Sequence, residues 1–323
     1  MATKSTSTNE IRRVVKVFYS IQKLRCASYN RIVDEEMINK YLEEHDVRID
    51  EIKPEKLDKE QQKAQSECMN TIMEKYESIR EEVDAIRTVK GRDKKIREIG
   101  GPIKNVVVYD LVKACSNMQA QEDMLQTGVK FFVDQEDIWK RFLVHVKGIG
   151  PLMAGCIISE LDIHKARHVS SFWKYCGMDV VEVNGEMQGR GKKEGHLVDW
   201  EYTDKNGDVK IRKGITYNPF IKSKLLGVVG DLFIKLNSQY KKVYIDYKNR
   251  LENHPKYKDT SKGRRHNMAV RYMIKMFLKD LWVAWREIEG YPYEGCYWED
   301  KISGRKHGVN YAPIVALDNA TST

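Results

Sequence analysis

Cysteine is scarce and scattered. Cys26, Cys68, Cys115, Cys156, Cys176 and Cys296 stand far apart, and no two form a Cys-x-x-Cys pair. That spacing argues against a thiolate zinc site and offers no disulfide framework, so a reducing compartment is expected. No apolar run is long enough to span a membrane, and the Ser/Thr-rich opening followed by a charged stretch lacks the pattern of a signal peptide. The expectation is a soluble cytoplasmic protein with no membrane partner. His145, His164 and His168 lack the neighbouring carboxylate and the spacing of a zinc hydrolase, so neither a metal nor another cofactor is expected. What the chain does have is positive charge: 56 Lys and Arg against 47 Asp and Glu give +9 and a pI near 9.0, which favours an anionic partner. With 41% apolar residues over 323 positions, it can bury one large core or two smaller ones.

In the first half, residues 1–8 read as a disordered tail. Asn9 is placed to cap an amphipathic helix carrying Ile11, Val14, Phe18, Ile21 and Ile32. A short helix is expected around Glu35 to Glu44, and Pro54 is placed to open a long charged one. Within it Ile72, Tyr76, Ile79, Val83 and Ile86 alternate spacings of four and three, the seam of a coiled coil whose partner is another N-terminal helix or a second protomer. After Gly100-Gly101-Pro102, the run Val106-Val107-Val108-Tyr109-Asp110 is the one stretch here that could form a strand ending in a carboxylate. A two-cation nuclease site would need several such carboxylates. They are missing, and Asp110, Glu122 and Asp123 read as solvated helix charges.

The second half is organised around Val146-Lys147-Gly148-Ile149-Gly150-Pro151, which follows an apolar helix ending near His145 and precedes another helix. This reads as a helix-hairpin-helix. Two glycines permit backbone angles that a Cβ penalises, and Pro151 fits the first helical position. Amides from Lys147 to Gly150 would then face a phosphate without reading sequence. The alternative is an ordinary helical corner inside a core. Further on, Gly189-Arg190-Gly191-Lys192-Lys193 reads as a flexible basic loop suited to a phosphate backbone. A β-hairpin is expected at about 197–213 around Asn206-Gly207. Asn218-Pro219 starts a helix to Leu236, a second runs from about Gln239 to Leu251, and Lys256 to Arg265 reads as a basic loop. The last helix ends at Ile288 before Gly290. Its apolar set Val270, Ile274, Phe277, Leu281 and Ala284 opposes Arg264, Arg271, Lys275, Lys279 and Arg286. Arg264, Arg265 and His266 join Arg271, Lys275 and Lys279 as expected phosphate contacts. Residues 291–323 read as an irregular tail.

Several stretches carry a family resemblance: Gly148-Ile149-Gly150-Pro151, Ile158-Ser159-Glu160-Leu161, Ala166-Arg167-His168-Val169 and Trp173 to Met178, then Asn218-Pro219-Phe220. Over residues 136 to 290 the chain resembles the C-terminal domain of the insertion-sequence transposase family numbered one hundred and ten, whose members join a RuvC-like nuclease domain to a helix-hairpin-helix domain. Taken whole, it resembles transposase-like proteins of phages and mobile elements. The family's opening strand with its Asp is missing between Ile11 and Leu24, and its nucleophilic serine has no counterpart, since no serine lies between Ser171 and Ser223. The resemblance therefore implies the non-nuclease half of a transposase.

The expected fold is mainly α: a helical, coiled-coil region over 9–133, then a helix-hairpin-helix domain over 134–290 with a small β-hairpin insertion. The expected function is binding of DNA, duplex or branched, independent of its sequence, with RNA left open as a partner and self-association through the N-terminal helices. Two alternatives stand beside it. One is an active recombinase whose acidic site is diverged or supplied by another protein, and the other is a phage factor that binds a protein of host defence.

Overall fold

The computed structural model describes residues 6–33, 35–44 and 59–292. The chain is mainly helical with two small antiparallel two-stranded sheets. In order come α1 (Thr6–Ile32), α2 (Glu35–Glu44), α3 (Lys59–Asp84), α4 (Val89–Ile99), α5 (Val106–Val133), α6 (Asp137–Arg141), α7 (Pro151–Glu160) and α8 (Val169–Tyr175). Strands β1 (Val180–Val183), β2 (Glu186–Gly189), β3 (Val198–Thr203) and β4 (Val209–Gly214) follow, then α9 (Pro219–Ser223), α10 (Gly230–Lys235), α11 (Lys241–Asn253) and α12 (Lys262–Ile288). Two compact units emerge, Lys16–Thr127 and Met1–Val15 with Gly128–Thr323. The expected helix start at Pro54, Cys296 and nearly all of the C-terminal tail lie outside the described residues.

In the unit Lys16–Thr127, the heptad seam is covered from within the chain. Ile72, Tyr76, Ile79 and Val83 of α3 are buried in one cluster with Ile38 and Leu42 of α2, Ile96 of α4, and Tyr109, Val112 and Cys115 of α5. The Tyr76 and Tyr109 rings lie 5.3 Å apart, and Tyr109 Oη donates to Asp84 Oδ1 at 3.1 Å. Asp84 also accepts from Lys113 Nζ at 2.7 Å, so the end of α3 is tied to α5 by a tyrosine and a lysine one turn apart.

Several local readings are corrected. The first helix begins at Thr6 rather than after Asn9. The Val106–Asp110 run, the one candidate strand, is the first turn of α5. Its amides are met by side chains: Asn105 Oδ1 accepts from Val107 and Val108 at 3.0 Å each, and Asp93 Oδ1 accepts from Val106 at 3.0 Å. That satisfies the orphan donors of a helix start and outweighs the β preference of three valines. Glu122 is not a solvated charge. It is 3% exposed and paired with Arg25, with Nε at 2.5 Å and Nη2 at 3.0 Å.

In the other unit, α7 is buried on every side from Met153 to Glu160. Gly155 makes that burial possible, because a Cβ there would sit 2.7 Å from Val129 Cγ1 and 3.4 Å from Ile11 and Val15. The apolar helix expected to end near His145 is a five-residue α6 followed by a 3-10 turn at Leu143–His145. Asn218 caps α9 as expected, accepting from Phe220 at 3.0 Å, and the helix runs on through a π-helical segment, Lys224–Val229, into α10. Helix α12 ends at Ile288 as read, but it begins at Lys262, capped by Ser261, so the supposed loop from Lys256 is cut short. Its apolar face meets Phe233 and Tyr240, whose stacked rings (5.1 Å) stand edge-on to Phe277.

Ile79 is 5% exposed whereas Ser78 beside it faces water. Ile79→Asp should therefore lower the stability of this unit by about 3 kcal/mol or more, since it buries an unpaired carboxylate. Urea denaturation followed by circular dichroism checks this, with Ser78→Asp as the control expected to stay within about 0.5 kcal/mol of the parent.

Candidate nucleic-acid interface

After α8 the chain turns at Gly177, whose φ of +64° and closeness to Tyr217 leave no room for a side chain. It then forms the β1–β2 hairpin, whose turn is Asn184-Gly185 with φ of 54° and 77°. This is the dipeptide that suits a two-residue turn with both residues left-handed. The reading of the sequence missed it. The second hairpin, β3–β4, lies where expected, although its loop is organised by Asp204, whose Oδ1 accepts from Asn206 at 2.8 Å and Asp208 at 3.0 Å.

Between the hairpins, the stretch read as a flexible loop is tied down. Arg190 lies 3.0 Å from Asp179 Oδ2 through Nη2 and donates through Nη1 to the His196 carbonyl at 3.2 Å. The carbonyl of Arg190 accepts from Lys222 Nζ at 2.6 Å and from Arg271 Nη2 at 3.3 Å. His196 is buried, 3% exposed, and its Nδ1 accepts from the Gly191 amide at 2.8 Å. The proton of the neutral ring is therefore on Nε2, which has no hydrogen-bond partner among the described residues. Burial first, then the charges of Arg190, Lys193, Lys222 and Arg271, hold its pKa below the usual imidazole range.

These elements form one wall of a groove of about 1130 Å³. Lys192, Lys193 and His196 line that wall, and the opposite wall is the first half of α12 with Arg264, His266, Asn267, Arg271 and Lys275. Leu226 and Ile234 supply apolar floor, and Tyr247 and Tyr272 stack on each other at 4.1 Å and 12° along the side. Among the described residues, two carboxylates, Glu186 and Asp231, reach the lining. Arg271 and Lys275 are partly buried, and among the described residues neither forms an ion pair. Arg271 Nη1 donates to the Gly177 carbonyl at 2.5 Å, while Lys275 Nζ sits 4.4 Å from the centre of the Trp173 ring. Burial pulls both pKa values down.

The expected contacts thus separate into groups. Lys192, Lys193, Arg264, His266, Arg271 and Lys275 share the groove. Arg190, Arg265 and Lys279 do not line it. Arg265 is 9% exposed and closes the loop before α12 by donating to the carbonyls of Lys258 and Thr260, and Lys279 lies against Asp280. Lys147, Gly148, Ile149 and Gly150 form a separate turn. There Gly148 takes φ +103° and packs on Phe233, Ile149 is buried, and the Lys147 amide donates to Gln239 Oε1 at 3.2 Å. Gly150 stays exposed at the start of α7, with no side-chain cap.

Compared with known proteins, the chain matches no family model, no curated protein and no solved structure.

The two glycines of the turn are separable. Gly148→Ala should destabilise by about 1–3 kcal/mol, because a Cβ is strained at that φ and would meet Phe233 Cδ1 at 3.2 Å. Gly150→Ala, at φ −98° with open space around it, should fold as the parent does. Any change in nucleic-acid affinity in Gly150→Ala alone would then report on the turn itself, and thermal melting of both variants checks the first half.

The Lys222 ammonium, desolvated and close to Arg271, is pulled down to about 8. A lysine whose pKa is lower folded than unfolded gives up its proton first in the folded state. Stability from this group should therefore rise as pH passes from about 8 towards the unfolded value near 10.5. Urea midpoints at about pH 7.5 and 9 should rise more in the parent than in Lys222→Met. Equal changes in the two would remove Lys222 as the cause.

Proposed function

We propose that the chain binds nucleic acid through phosphate groups held in the groove between the Lys192–Lys193 loop and α12, without reading base sequence. The observation that carries this is the pair Arg271 and Lys275, drawn out of water along the groove wall and held by carbonyls and a ring, with the charge of Asp179, already paired with Arg190, acting on both. Desolvated cations that share one already paired carboxylate are costly, and a bound anion completes them. Lys192, Lys193 and Arg264 extend the positive lining towards the solvent and give it the length of a backbone rather than a single anion. Exposed Arg264 and Asn267 stand three residues apart on α12 in the lining, and binding to unrelated duplexes separates phosphate contact from base-edge reading by that pair. DNA, duplex or branched, is the partner this reading names. The motif resemblance extends this proposal to a kinship with transposases of phages and mobile elements and to action in the host cytoplasm.

The test is a salt titration of binding to several unrelated duplexes and a four-way junction. Each phosphate contact releases counterions, so the log-log slope should be steep and similar for every duplex. Lys192→Gln with Lys193→Gln should make it shallower by about two and weaken all duplexes alike, and Lys275→Gln should make it shallower by about one. Affinity that ignores salt, or a preference for one sequence that survives high salt, would defeat the reading.

A further inference from the structure

The β3–β4 ribbon carries a chemistry that the groove does not use. Its register places Val198 opposite Gly214, Trp200 opposite Arg212 and Tyr202 opposite Lys210, with Asp199–Lys213, Glu201–Ile211 and Thr203–Val209 between them. Side chains alternate across a strand, so the first three pairs share one face and the other three share the opposite one. Both strand carboxylates, Asp199 and Glu201, fall on the second face. The first is left with two aromatic rings and two cations.

Every residue from Val198 to Thr203 and from Val209 to Lys213 is exposed. Trp200 is 49% exposed and Tyr202 41%, while the buried indoles Trp282 and Trp285 stand at 3% and 7%. Gly214 lets the indole settle against the ribbon, since a Cβ there would lie 2.8 Å from Trp200 Cδ1. Arg212 stands 5.5 Å from the Tyr202 ring centre, and Lys210 also reaches Asp204. The rings are thus steadied from within the ribbon while part of their surface remains in water.

We propose that this face binds single-stranded nucleic acid, with unpaired bases stacking on Trp200 and Tyr202 and phosphates meeting Arg212 and Lys210. Charge decides the class of partner, because the strand acids Asp199 and Glu201 lie on the far face, Arg212 keeps its charge here although Lys210 is paired with the loop acid Asp204, and the chain as a whole carries +9. Aromatic faces decide the form. A duplex hides the π-faces of its bases in the stack, whereas a single strand offers them to any ring, whatever the sequence. This inference stands on the ribbon alone and does not need the groove.

The experiment measures binding of the full chain to an oligothymidylate of about 20 nucleotides and to a duplex of the same length. Trp200→Ala with Tyr202→Ala should fold and melt as the parent does, lose about tenfold or more in affinity for the single strand, and keep its affinity for the duplex within about twofold. In the parent, the oligonucleotide should quench tryptophan fluorescence, and Trp200→Phe should abolish most of that quenching while retaining most of the binding. If Lys192→Gln with Lys193→Gln proves inert while the ribbon variant loses the single strand, the groove reading fails and this one holds. No binding of the oligonucleotide by the parent, unchanged affinity in the double variant, or an equal loss for duplex would overturn the proposal. So would a change confined to self-association, which would assign the ribbon to pairing with a second copy.

Discussion

The guanidinium of Arg271 is the tie on which the groove depends. It sits on α12, donates to the carbonyl of Gly177 at the end of the α8 turn, and donates again to the carbonyl of Arg190 after β2. One side chain therefore fixes the spacing between a long helix and a hairpin that shares little core with it. Gly189 is part of the same contact, because a Cβ there would fall 2.8 Å from Arg271 Nε. Planarity and several donors let arginine bridge two carbonyls at once, which the ammonium of a lysine would meet only as a point charge.

A second polar centre holds the other side of this unit. Glu160, 7% exposed at the end of α7, accepts from Asn218 Nδ2 at 2.6 Å, from Tyr175 Oη at 3.3 Å and from Arg12 Nη2 at 3.4 Å. Asn218 meanwhile caps α9 through its oxygen. The buried carboxylate is thus matched by donors from three other segments, and the side-chain amide of Asn218 that donates to it also starts α9. Removing one member would leave the others unsatisfied in a low-dielectric setting, which is why such networks resist piecemeal change.

Local chemistry was legible in the sequence and distant chemistry was not. The end of α12 at Gly290, the start of α9 at Asn218-Pro219, and the β3–β4 hairpin all rest on signals within a few residues, and the structure has each of them. The heptad seam showed that α3 has a buried face, while its partners, Tyr109 and Val112 on α5, lie some thirty positions away and carry no matching signal of their own. The Val106 run misled because one of its decisive hydrogen bonds comes from Asp93, 13 residues earlier. Glu122 read as solvated because Arg25 is 97 residues distant. The Asn184-Gly185 turn is a different case: its signal was present and local, but strands of four residues each are too short to show a clear alternation around it.

The basic stripe on α12 shows why periodicity places cations on a face without fixing their roles. Arg264, Arg271, Lys275 and Lys279 recur at helical spacing, yet Lys279 is spent on Asp280, Arg271 on backbone carbonyls and Lys275 on a tryptophan ring. A carboxylate partner neutralises charge, whereas a carbonyl or a π-face orients it and leaves it in place. Arg271 and Lys275 are therefore immobilised mainly by contacts that carry no charge, with Asp179 as the carboxylate acting on both. Fixing those side chains in advance also lowers the entropy that binding of an anion at this wall would cost.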